Sequence, residues 1–76
     1  MTLKELRMWH WRQWMELRNK ERMAEQHPSS GRFPQLRDAM LKKIRTALNA
    51  HIAAVLCLND YVPGTAEADC AAEDKR

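Results

Sequence analysis

Seventy-six residues with a net charge of +3, 45% hydrophobic and 30% charged, suffice for one small domain and are too apolar for a fully disordered chain. Two glycines and three prolines are too few for a multi-strand fold with tight turns, and two cysteines are too few for a disulfide scaffold. The longest unbroken apolar run, Ile52 to Leu58, is far short of a membrane span, and Met-Thr-Leu-Lys-Glu does not read as a secretory leader, so a cytoplasmic protein without membrane attachment is expected.

Leu3 to Gln26 contains neither Gly nor Pro and is rich in Leu, Met, Glu, Arg, Lys and Gln, which predicts a first helix over 3–26. Thr2 suits the N-cap, and Glu5, three residues later, completes a capping-box pattern. His27 precedes Pro28 and is thereby pushed out of the helical region, which ends the helix. A connector over 27–33 follows. Pro34 fits the first position of a second helix, where its missing N–H costs nothing. That helix is expected over 34–61, and Pro63-Gly64 stops it. From Thr65 onward no large apolar side chain remains, so residues 63–76 read as a flexible acidic tail behind a helical hairpin over 1–62. Charge divides the same way. Residues 1–50 hold eleven Lys/Arg against five Asp/Glu, and residues 51–76 hold two against five.

In the second helix Leu41, Ile44, Leu48, His51, Val55, Leu58 and Val62 form an unbroken heptad seam, widened by Met40, Ala47, Ile52 and Ala54. Asp38, Lys42, Arg45 and Asn49 fall on the opposite face. The first helix carries one apolar stripe of Leu3, Leu6, His10, Trp14 and Leu17 and another of Met8, Trp11 and Met15, with Arg7 and Arg18 between them. An arc this wide needs more than one packing partner. So small a core is also marginal by itself. The expected fold is therefore all-α: an antiparallel two-helix hairpin that forms a homodimeric four-helix bundle. Trp11, Trp14, Leu41, Ile44, Leu48, His51, Val55 and Leu58 would supply the oligomer interface.

No constellation for catalysis stands out. His10 and His51 lie on apolar faces, where they could form a metal pair or a pH switch across the bundle, or fix register by hydrogen bonding. There is no His-x3-His, Glu-x-x-His or Cys-x-x-Cys spacing, so the register role is favoured, and neither metal nor cofactor is expected. Cys57 reads as a small buried thiol at the border of the seam and Cys70 as part of the tail. Glu5, Glu16, Glu21 and Glu25 alternate with basic residues as on a solvated helix face. No Gly-rich phosphate loop or nucleophile elbow is present, so no enzyme is expected.

The unusual feature is Trp9, Trp11 and Trp14 within six residues, with Arg7, Arg12 and Arg18 around them. Arg7–Trp11 and Trp14–Arg18 are at i,i+4, within reach of cation–π stacking. Trp9 falls on the polar back of the helix with Glu5, Arg12 and Glu16. Trp and Arg are favoured interface anchors, so Trp9, Arg12, Glu16 and Arg18 are the candidate partner-binding residues. Two other readings remain. A basic, Trp-lined groove could sequester a nucleotide signal, or the basic body could bind nucleic acid and modulate transcription, although helix-turn-helix spacing is lacking.

The stretch from His51 to Asp60, followed by Pro63-Gly64-Thr65-Ala66-Glu67-Ala68-Asp69, resembles the ends of small accessory proteins of Mu-like temperate phages of Pseudomonas. The hairpin layout is similar to that of a phage quorum-sensing antiactivator of that group, which binds a host transcription regulator and a pilus ATPase. The resemblance implies a role class: a small non-enzymatic protein in the bacterial host cytoplasm that takes over or inhibits a host protein by direct binding.

Overall fold

The computed structural model describes residues 1–75. Helix α1 spans Leu3–Gln26, a short 3-10 turn spans Pro28–Gly31, α2 spans Pro34–Leu58 and α3 spans Ala66–Asp74. The two long helices pack against each other as a hairpin within a body of 46 × 26 × 17 Å.

Local chemistry accounts for the ends of α1. The Thr2 hydroxyl oxygen accepts the Glu5 backbone N–H at 3.1 Å, and the hydroxyl donates to the Glu5 carboxylate at 3.1 Å. At the other end His27 leaves the helix with ψ 137°, and its Nδ1 accepts the Ser29 N–H at 3.1 Å. The buried Ser30 donates its hydroxyl to the Ala24 carbonyl, which closes the end of α1 over the turn. Pro34 occupies the first turn of α2, as its chemistry predicts.

The heptad seam is the hairpin's own core. Leu41, Leu48 and Val55 are buried, while Ile44, His51 and Leu58 are half-buried between them. On α1 the half-buried Leu6, His10, Trp14, Leu17 and Ala24 repeat at the matching spacing. Full burial of a Leu or Val side chain contributes about 1.5–3 kcal/mol, so these positions dominate the helix pairing. Arg45 does not point away from the partner helix. Its Nε and Nη2 donate to Glu21 at 3.0 Å and Glu25 at 2.9 Å, which ties α2 to α1 along one flank. Such exposed pairs contribute at most about 1 kcal/mol each.

The chain after Pro63 departs from expectation. Ala66–Asp74 is a helix packed on α1, where a flexible acidic tail was expected. Thr65 caps it by accepting the Ala68 N–H at 3.1 Å, and Glu67 and Asp69 stand in its first turn, where the helix dipole favours carboxylates. Its buried residues are the small Ala66 and Cys70, four apart on one face. A nine-residue helix is not stable alone and needs an anchor.

Arg7 is that anchor. Its side chain is fully buried. Nη1 donates to Asn59 Oδ1 at 3.1 Å, the Val62 carbonyl at 2.9 Å and the Gly64 carbonyl at 3.3 Å. Nη2 donates to the Pro63 carbonyl at 3.2 Å and Asp69 Oδ2 at 2.6 Å. A guanidinium is suited to this role because its donors radiate in one rigid plane. Helix α2 stops at Leu58 rather than 61, and beyond it the carbonyls of Val62, Pro63 and Gly64 turn inward to Arg7. Gly64, at φ +85°, supplies the left-handed residue that brings the chain back towards α1.

The two cysteines exchange their expected places. Cys57 is exposed, because α2 turns that flank to solvent. Cys70 is buried in α3, with its Sγ 3.9 Å from the Met8 carbonyl.

Candidate functional site

The four residues expected to bind a partner all lie on α1 and are exposed, each with different neighbours. Trp9 is 46% exposed, but it lies beside the seam rather than on the polar back. Its ring stands edge-on to His10, with centroids 4.9 Å apart, and to His51 at 5.7 Å. Arg12 is engaged by α3, pairing with Asp74 at 3.1 Å and Glu73 at 3.9 Å. Arg18 sits 5.6 Å from the centre of the Trp14 ring and 3.7 Å from Glu21. Glu16 is exposed. Trp11 and Trp14 are half-buried and stack on each other, with centroids 5.1 Å apart and 25° between planes. Arg7 is absorbed by the clamp. Of the interface set, Leu41, Leu48 and Val55 are buried within one chain, without a second copy.

His10 and His51 meet inside the hairpin, not across two copies. Their Nδ1 atoms are 2.9 Å apart. One ring nitrogen donates and the other accepts, so the neutral pair shares one proton along this line. Burial, and secondarily the neighbouring His51, pushes the proton affinity of His10 below its ordinary value.

A different surface is concave and open among the described residues. At the loop end of the hairpin, the last turns of α1 and the first turns of α2 flank an open groove of about 400 Å³. Met23, Phe33, Leu36 and Met40 line it and remain 61%, 57%, 60% and 47% exposed. The charged residues on its walls are Lys20 and Arg37, with His27 beside them, and among the described residues no carboxylate lines it. Arg37 is held by the adjacent Asp38 at 3.1 Å, while Lys20 makes no ion pair among the described residues. The local reason for the opening is the placement of α3. It covers α1 around Lys4, Met8 and Arg12, at the far end, and among the described residues nothing equivalent reaches Met23.

No family model matches the chain, and no curated protein and no solved structure matches it. Among the described residues, no helix is long and apolar enough to cross a membrane.

The groove was only partly visible in the sequence. The apolar arc wider than one packing partner can cover is the available signal, but periodicity places it on Trp11, Trp14 and the seam. Phe33 lay in the connector and Met23 belonged to no stripe, so their convergence depends on how the turn folds.

Proposed function

We propose that the protein is a non-enzymatic binding protein that modulates a larger protein by taking an acidic, amphipathic helix of that protein into the groove between α1 and α2. The observation that carries this reading is the set of four large apolar side chains left about half or more exposed on a concave surface with cationic walls. Apolar patches of this kind, rimmed by polar groups, mark interaction sites on small soluble proteins. A two-helix groove accepts a third helix by the same packing that joins the first two, with apolar anchors at i, i+3 or i+4 and i+7. Lys20, His27 and Arg37 would meet carboxylates on the flanks of the incoming helix, which improves encounter and orientation more than affinity. Sequestering that helix blocks whatever else the larger protein does with it. In the phage-type setting that the sequence resembles, the larger protein is one of the host.

A second copy is the competing occupant, and it would give the homodimeric four-helix bundle. Charge disfavours it, because each copy would bring the cations Lys20 and Arg37 to the contact and, among the described residues, no lining carboxylate. The test is a photo-crosslinking residue at Leu36, with Asn49 on the far face of α2 as control, followed by sequencing of the attached segment. An adduct specific to position 36 on an acidic, amphipathic helix of another protein is expected. Adducts to the protein's own chain or to nucleic acid, or equal labelling from position 49, would refute the reading.

A further inference from the structure

We propose that His10 and His51 form a two-imidazole site for a divalent transition metal of tetragonal preference, of the Ni²⁺ or Cu²⁺ type. The two rings come from different helices, and their Nδ1 atoms face each other at 2.9 Å. A metal–imidazole bond is about 2.0–2.1 Å, so two ligands at a right angle on one metal have nitrogens about 2.9 Å apart, whereas a tetrahedral angle spreads them to about 3.3 Å. The observed spacing thus fits the cis edge of a square-planar or octahedral ion, the geometry that Cu²⁺ and Ni²⁺ adopt with nitrogen and oxygen ligands.

The pair is pre-positioned. His51 lies in the seam between the buried Leu48 and Val55, so its backbone is fixed by the hairpin core. Trp9 stands edge-on to both rings and limits their rotation. No third His, Cys, Asp or Glu joins the pair among the described residues, so water would complete the coordination sphere.

The proton balance is simple. In the neutral pair one Nδ1–H donates to the other Nδ1. On binding, both Nδ1 lone pairs go to the metal and the displaced proton returns to Nε2 of the donor ring, so both rings carry Nε2–H. A pair that already holds an extra proton releases it, and binding therefore strengthens as pH rises.

The experiment uses the full chain with the exposed Cys57 changed to Ser, which removes the competing accessible thiol, and NiCl₂ as the probe. Calorimetry should show one equivalent of Ni²⁺ per chain and a rise in melting temperature. His10→Asn and His51→Asn should each abolish both effects, and His27→Asn in the exposed connector should leave both intact. Because a histidine variant could lose structure, imidazole resonances in the parent chain give a second reading: paramagnetic Ni²⁺ should broaden those of His10 and His51 and spare those of His27. Undetectable binding, binding that survives both substitutions, or a shared Nδ1 proton that persists under excess metal would overturn the proposal.

Discussion

Replacing Arg7 with Met tests how the third helix is held. The guanidinium has no exposed surface and donates to three backbone carbonyls, Asn59 and Asp69. Its Nε has no partner among the described residues, so the charge depends on the two terminal nitrogens. Removing one member of a buried, hydrogen-bonded charge pair costs about 3–5 kcal/mol, most of it from the partners left behind. Here those partners can escape to water if the 59–64 turn opens, which would undock α3 while α1 and α2 stay paired. A chain of this size has a total stability of about 4–11 kcal/mol, so either route is large. Urea unfolding should show the loss, and amide exchange over 59–74 should accelerate before that of the seam. Asp69→Asn, which keeps the shape and one acceptor, should cost less, about 1–2 kcal/mol. An Arg7→Met chain within about 0.5 kcal/mol of the parent, with unchanged exchange over 66–74, would refute the anchoring role.

Three further outcomes are expected. Leu48→Ala should destabilise the lone chain by about 2–5 kcal/mol, because Leu48 is buried in the seam, whereas Leu36→Ala should leave its melt nearly unchanged; equal effects would contradict the division between core and groove. In metal-free protein kept in chelator, stability should hold above the ordinary histidine value of 6.5 and decline as pH falls below it, since the folded state binds the His10 proton less well than the unfolded chain. A pH-independent urea midpoint between about pH 7.5 and 5.5, or the same decline in His10→Gln, would contradict this sign. Burial pushes the Cys70 thiol up, outweighing the opposing pull of Arg12, while Cys57 is exposed. A thiol reagent should therefore label one site quickly and Cys70 slowly, with Arg7→Met accelerating the slow phase; two equal rates in the parent would count against a docked α3.

The long-period features are legible in the sequence alone. The heptad from Leu41 to Val62, the Thr2 cap and the Pro28 and Pro34 boundaries depend on local spacing and local sterics, which the sequence carries directly. Helix α3 was missed because its contacts are small: Ala66 and Cys70 bury little area, and its anchor, Arg7, lies more than fifty residues away in the chain. Arg7 looked like a surface cation between two stripes, and only the folded turn reveals that several carbonyls converge on it. The surroundings of Trp9 differ from the helical-wheel expectation for a related reason. A helical wheel fixes its direction on α1 but not the lateral position of α2, which brings His51 beneath it. The groove arises from the connector's fold, which periodicity does not encode.

The central claim is that binding occurs in the loop-end groove, and the chain's five methionines supply reporters for it. Met23 and Met40 line the groove, Met8 is buried beside α3, and Met15 is exposed outside the groove. The partner segment mapped by crosslinking, added as a peptide to the methyl-labelled full chain, should shift the Met23 and Met40 methyl resonances and leave those of Met8 and Met15 in place. Shifts centred on Met15 or Met8, with Met23 and Met40 unmoved, would contradict the account.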